Sequence, residues 1–230
     1  MISISGHGGT GKTTAGDVLT QEGFWVFDVG TFWRSFRDTI APGMNVGELN
    51  FAMKEYVEDD HWEDKFLAAV IRNNYDRGMN NMKDLAIVGY RSLTGVNDVF
   101  KRIEGKVFPD RPRSYLHFVS PIELAKERIV RRDGVDLTTG DLEIRYATEV
   151  ARGLDDFLVV ANFIINNENG LDSLREDILK IIYNDLAYPK DIIEVPRLTE
   201  GQNRRVLDFL GSKTGLNEND LSRFIGKERK

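Results

Sequence analysis

Cysteine is absent from the 230-residue chain, which rules out disulfide frameworks, thiolate metal sites and cysteine nucleophiles. Histidine is scarce. His7, His61 and His117 lie too far apart in sequence to read as a zinc site. No apolar run approaches the roughly 18 to 20 residues that a membrane-spanning helix needs. The opening residues also lack the basic and then apolar layout of a secretory leader, so the cytoplasm is the expected location. A surplus of positive charge is missing too: 31 Lys and Arg stand against 37 Asp and Glu, a net charge of −6 that argues against a generally basic nucleic-acid binder. There is no internal repeat and no low-complexity tract.

What remains is an ordinary globular composition, 41% apolar and 30% charged. The length suits one main domain, residues 1–186, with an extension over 187–230. Charge is uneven along the chain: from Ala187 onward 9 Lys and Arg outnumber 7 Asp and Glu, so the extension carries +2 and the body −8.

Short apolar runs alternate with helix-spaced stretches. Met1–Ser5, Phe24–Phe27, Leu85–Val88, Tyr115–Val119 and Phe163–Ile165 read as buried strands. Helical patterns follow from Thr13, from about Thr31, over Val46–Tyr56, Trp62–Arg77, Ile122–Arg132, Leu142–Gly153 and Leu171–Tyr183, with a polar loop at Asp133–Asp141. Strands separated by helices imply an α/β fold, three layers with a central five-stranded parallel sheet. Glu200–Leu210 and Glu218–Ile225 predict a small helical C-terminal appendage.

Between the first strand and first helix stands Gly6-His7-Gly8-Gly9-Thr10-Gly11-Lys12-Thr13, which meets G-x-x-x-x-G-K-[ST] at every fixed position. This P-loop pattern wraps successive backbone N–H groups around a phosphate and adds the partial positive charge of a helix N-terminus. Gly6, Gly8, Gly9, Thr10, Gly11, Lys12, Thr13 and Thr14 are therefore the expected nucleotide-binding residues. Lys12 is expected on the β- and γ-phosphates of ATP, and the Thr13 hydroxyl on Mg²⁺. The Asn-Lys-x-Asp element of small GTPases is missing, and the chain is too short for a large AAA-type motor.

After the second strand, Asp28-Val29-Gly30-Thr31-Phe32-Trp33-Arg34 puts a carboxylate and an arginine where open α/β sheets bind ligands. Arg34 is a candidate clamp for a phosphate. Asp28 is a candidate for the general base that a hydroxyl acceptor would need; a capping role at the strand end is its other reading. Trp33 and Tyr90, each beside an arginine, are candidates for stacking on a base, with core packing as their other reading; Trp25, Trp62, Phe66 and Phe118 read as core.

These segments, over roughly residues 1–183, resemble the nucleoside monophosphate kinases, in particular the cytidylate-kinase branch and a related set of archaeal adenylate-kinase-like proteins. Asp28–Arg34 is similar to that family's Asp-Ser/Thr-Gly-x-x-Tyr/Phe-Arg element. Val46-Gly47-Glu48 with Asp60–Asp64 is similar to its following helices, Gly89-Tyr90-Arg91-Ser92 to its Gly-x-Arg turn, Ser120–Leu124 with Glu127–Arg132 to its helix entering the lid, and Asn162–Asn167 to its last strand. The resemblance implies acceptor-binding helices at about 31–80 and a lid at about 128–152. It further implies that Arg34 and Arg91 bind the acceptor's phosphate and that Arg128, Arg131 or Arg132 act on the transferring phosphoryl group. Arg145 and Arg152 also lie near the lid. One departure is plain: Val88 stands where the family carries an acid, and for holding Mg²⁺ or the acceptor Asp28 is the nearest replacement.

The expected activity is transfer of the γ-phosphate of ATP to a small nucleotide acceptor. Two alternatives stay open. One is a kinase acting on a hydroxyl of nucleic acid, such as a hydroxymethylated base in DNA, suggested by Val88, Asp28 and the basic residues Arg204, Arg205, Lys227, Arg229 and Lys230. The other is a nucleotide-dependent switch that transfers little. Dephospho-CoA kinases share a strand similar to Gly23–Asp28, but Gly30–Arg34 fits the monophosphate kinases better.

Overall fold

The computed structural model describes residues 1–109 and 111–188. Five strands, β1 (Ile2–Gly6), β2 (Trp25–Asp28), β3 (Leu85–Val88), β4 (Ser114–Val119) and β5 (Phe163–Asn166), form one sheet in the order β2-β3-β1-β4-β5. Every neighbouring pair is parallel, so the expected five-stranded parallel α/β sheet is the one observed. The helices are α1 (Lys12–Gln21), α2 (Val29–Ile40), α3 (Val46–Val57), α4 (Trp62–Asp76), α5 (Leu93–Ile103), α6 (Ile122–Asp133), α7 (Thr139–Ala151), α8 (Asp156–Val160) and α9 (Leu171–Lys180). A π-helical turn, Ile181–Asp185, extends α9.

The chain divides into two compact units. The first is built from Met1–Asp28, Met82–Val96 and Asp110–Glu194 and holds the whole sheet. Its core follows from strand alternation: Ile2 and Ile4 of β1, Leu116 and Phe118 of β4 and Ile165 of β5 point to one face. There they pack with Ala15, Val18 and Leu19 of α1 and Leu174 and Ile178 of α9. Each such buried side chain contributes roughly 1.5–3 kcal/mol relative to exposure. The intervening β4 residue Tyr115 meets Phe157 of α8, ring centroids 6.5 Å apart. Helices therefore cover both faces, as a parallel sheet requires.

The second unit, from Val29–Asn81, Asn97–Pro109 and Val195–Lys230, is helical where described. Phe32, Trp33 and Phe36 of α2 interlock with Trp62 and Phe66 of α4 at centroid distances between 5.2 and 6.1 Å. Asn45 and Glu48 close a reciprocal capping box at the start of α3. The helices expected at about 31–80 are α2, α3 and α4.

Differences from the sequence reading lie at edges and in two helices that it passed over. α2 begins at Val29, directly after β2, and α7 begins at Thr139 with a Thr138–Asp141 capping box, which shortens the expected polar loop. α5 was hidden by Gly95 and its β-branched residues, yet Val96, Val99, Phe100 and Ile103 recur at helical spacing and are all fully buried. α8 is too short to show a period. The two appendage helices lie outside the described residues.

Candidate active site

β1 runs from the sheet centre into the glycine-rich loop, and its crossover departs toward β2 and β3 while β4 lies on its other side. That makes the loop a topological switch point, where open parallel sheets place ligands. The loop turns because glycine permits it: Gly9 has φ +80° and Gly11 φ +100°. It also turns because its surroundings leave no room for side chains. A Cβ on Gly9 would lie 2.4 Å from the Ala125 carbonyl oxygen of α6, and one on Gly11 would lie 2.2 Å from Asn167 Nδ2. Inside the loop the His7 carbonyl accepts from Thr10 Oγ1 at 2.8 Å and from Lys12 Nζ at 2.5 Å.

Three side chains from later in the chain hold the loop from outside. Asn167 Nδ2 donates to the Thr10 carbonyl at 2.9 Å. Arg128 of α6 reaches the Gly9 carbonyl at 3.4 Å, Ser120 Oγ at 3.3 Å and Asn167 Oδ1 at 3.3 Å. Tyr146 of α7 donates to the Gly8 carbonyl at 2.7 Å and stacks on His7 with centroids 4.0 Å apart. Leu142, Tyr146 and Glu149 follow one another on one face of α7. Leu142 enters a small core with Ala125 and Ile129 of α6, with Tyr146 packed against it, and Glu149 is carried toward the loop, 4% exposed.

Charge is concentrated here. Burial pushes the Lys12 ammonium down to about 8; Glu149 and Asp28 oppose that shift, while Arg91 and Arg132 add to it. Burial alone would raise the Glu149 carboxyl, but a hydrogen bond from His7 and the charges of Arg91 and Lys12 outweigh it and hold the group below its ordinary value. Glu149 Oε2 lies 3.0 Å from His7 Nδ1, and Glu149 Oε1 lies 3.6 Å from Arg91 Nη2. His7 Nε2 is 3.7 Å from Asp155. Underneath, His117 Nδ1 lies 3.0 Å from Ser5 Oγ, and burial pushes this imidazole down to about 4.

The first unit thus brings together Lys12, Asp28, Arg91, Arg128 and Arg132. Arg132 engages the neighbouring Asp133 at 2.6 Å, and the fields of Asp133 and Asp28 favour its charge. Arg131, Arg145 and Arg152 are exposed. Parallel register sets Asp28 beside Val88, whose side chain lies in the hydrophobic core. A carboxylate one strand away therefore stands level with the missing acid. In the second unit Arg34 is exposed and donates to Thr31 Oγ1 at 3.0 Å. Trp33 and Tyr90 are 4% and 6% exposed; the Trp33 ring is walled in by Phe32, Phe36, Trp62 and Phe66 and packs as a core residue, the other reading its sequence allowed. Exposed aromatic faces suit ligand stacking, and packing uses this one instead.

Two features escaped the sequence reading. Glu149 and Tyr146 were missed because an acid on an amphipathic helix looks like a solvated charge; the signal was its place on the Leu142–Tyr146 stripe. His61, Asp64 and Asp98 bring potential ligand atoms within 4.8 Å of one another in the second unit, a cluster hidden because Asp98 comes from a separate helix.

The residues present fit a nucleoside triphosphate with Mg²⁺. Side-chain-free positions at Gly9 and Gly11 leave the backbone to line the loop, the N-terminus of α1 is capped by no side chain, and Lys12 supplies the charge. Thr13 is exposed at that helix start and Asp28 lies at the strand end, both oxygen donors of the kind Mg²⁺ takes.

By sequence the chain matches no protein family and no curated protein. By structure it is similar to an unliganded sugar kinase from Janibacter sp. HTCC2649, with TM-score 0.50 and 16% identity over 81% of this chain and 94% of that one. A tunicamycin resistance protein from Deinococcus radiodurans gives 0.49 at 17% identity, covering 82% and 98%, and a shikimate kinase from Acinetobacter baumannii gives 0.47 at 16%, covering 80% and 93%. The first likeness shows a fold shared with a kinase of this architecture. Among the described residues, no helix is long and apolar enough to cross a membrane.

Proposed function

We propose that this chain is an ATP-dependent P-loop phosphotransferase whose acceptor is a nucleoside monophosphate. The observation that carries the reading is the meeting of Lys12 with the fields of Arg91, Arg132, Asp28 and Glu149 beside a glycine loop clasped by Arg128. Phosphoryl transfer needs little covalent chemistry from the protein and much positioning and charge neutralisation, and these residue types supply both.

When bound, ATP with Mg²⁺ supplies the activated phosphoryl group. The loop amides and Lys12 would hold its oxygens, and Thr13 and Asp28 would hold the ion. Arg128 and Arg132, four residues apart on α6, neutralise charge developing on the equatorial oxygens, and Arg131 is assigned a supporting place at the same helix end. α6 and α7 exclude water that would otherwise take the phosphate. Arg91 holds the acceptor's phosphate through paired N–H bonds.

A second reading, transfer to a hydroxyl of nucleic acid, draws on Asp28, which stands level with Val88 and can accept a hydroxyl proton. Labelled ATP offered to every ribo- and deoxyribonucleoside monophosphate, and to plain and hydroxymethylated DNA, separates the two. The proposal expects label in one or two monophosphates, with KM for that acceptor raised about 10- to 100-fold by Arg91→Ala, the loss expected for one charge-assisted pair. Label confined to DNA would replace it by the second reading.

A further inference from the structure

Glu149 has no task in the reaction just described, yet it lies at its centre. The carboxylate is buried, accepts from or pairs with His7 at 3.0 Å and Arg91 at 3.6 Å, and acts on Lys12 through its field. His7 and Lys12 come from the phosphate loop, and Arg91 from the turn after β3. A carboxylate leaves water only when its surroundings replace the lost hydration. Here the replacement is a set of groups that a phosphate oxygen would also recruit, because both anions seek cationic N–H donors.

We propose that Glu149 is a resident stand-in for a phosphoryl group: it occupies the anion position defined by His7, Arg91 and Lys12, and a nucleotide's phosphate and Glu149 take that position in turn. The inference rests on the phosphotransferase reading and sharpens it, since it names where a terminal phosphoryl oxygen sits. In the second tie between α7 and the loop the Tyr146 hydroxyl donates to the Gly8 carbonyl, a loop atom that has nothing to offer an anion. The two ties therefore respond differently. Phosphate entry competes with Glu149 and leaves the Tyr146 bond untouched, so the last turn of α7 loosens at Glu149 while the loop tightens. Without a nucleotide, Glu149 balances the clustered cations and keeps the loop closed to stray anions.

The test is calorimetric titration of inorganic pyrophosphate into wild type, Glu149→Gln and Lys12→Ala, with each variant checked for cooperative unfolding. If the carboxylate fills the position about nine-tenths of the time, apparent affinity is reduced by that occupancy, and Glu149→Gln binds about tenfold tighter than wild type. Its unliganded melting temperature is expected to be no higher, so the gain cannot come from general stabilisation. Lys12-dependent binding that Glu149→Gln leaves unchanged or weakens overturns the inference and spares the phosphotransferase reading. Binding that is absent from wild type and Glu149→Gln alike, or that ignores Lys12, overturns both. Should Glu149→Gln fail to fold, hydrogen exchange on wild type decides: pyrophosphate is expected to protect residues 6–13 and speed exchange around Glu149, and protection of both segments refutes the exchange of places.

Discussion

Replacing Gly9 by alanine is the sharpest perturbation of the phosphate loop, because its cost has two separable parts. Gly9 has φ +80°, a conformation that costs an L-residue roughly 1–2 kcal/mol. Its added Cβ would also lie 2.4 Å from the Ala125 carbonyl oxygen and 2.9 Å from the Ala125 carbonyl carbon and Cα. Those are backbone atoms of α6 that cannot rotate away, so either the helix or the loop must shift, at about 1–3 kcal/mol for overpacking of this kind. The expected total is about 2–5 kcal/mol, a large share of the ~5–15 kcal/mol that holds a typical domain together. Two companions divide the sum. Gly89 has φ +82° with nothing among the described residues within 4 Å of its added Cβ, so Gly89→Ala should cost about 1–2 kcal/mol. Gly8 has no positive φ, and its nearest contact is Ile129 Cδ1 at 3.5 Å; Gly8→Ala should change stability by no more than about 0.5 kcal/mol. Urea unfolding of the three variants beside wild type measures all of this. Gly9→Ala no costlier than Gly89→Ala would refute the claim that α6 clamps the loop.

His117, 1% exposed and lowered to about 4 by burial, remains neutral in the fold while the unfolded chain titrates near 6.5. Its folded value is depressed, so its contribution is complete above 6.5 and is lost as pH falls from 6.5 toward 4; the loss should reach at most ~3 kcal/mol. Urea unfolding of wild type and His117→Gln at pH 7.5 and 4.5 reads it as a difference, and parallel pH profiles would contradict it. Arg128→Ala removes the bridge from the Gly9 carbonyl to Ser120 and Asn167 and should slow single-turnover transfer about 10²- to 10³-fold; an unchanged rate would take Arg128 out of the mechanism. Trp33→Ala should destabilise the aromatic cluster by about 3–5 kcal/mol. Trp33→Phe should cost far less, because the buried Trp33 Nε1 has no hydrogen-bond partner among the described residues; equal costs in thermal unfolding would show that the indole N–H matters.

The sheet was legible because each strand is a compact apolar run and because the P-loop motif fixes which strand comes first. Lys12 and the loop glycines were legible for the same reason: their roles are backbone roles, written as spacing. The clasp around the loop was not. Asn167, Tyr146 and Glu149 reach it from 138 to 157 residues away along the chain, and contacts that distant leave no local period. Trp33 shows the converse case. Its neighbour Arg34 suggested a ligand platform, but helical spacing puts Trp33 with Phe36 on the inner face of α2, and burial of a large ring outweighs its use as a surface stack. Val88 stands where the resembled family carries an acid; its side chain fills the core, while the parallel register places Asp28 beside it.

The central claim is that Lys12 on this loop serves transfer of the γ-phosphate. Its most direct test is a single-turnover experiment with γ-labelled ATP, Mg²⁺ and mixed nucleoside monophosphates, comparing wild type with Lys12→Ala at matched, verified folding. The account predicts label moving to a monophosphate in wild type and a loss of at least about 10²-fold in the variant. ATP bound by wild type with no label transferred to any acceptor, or equal transfer by both proteins, would contradict it.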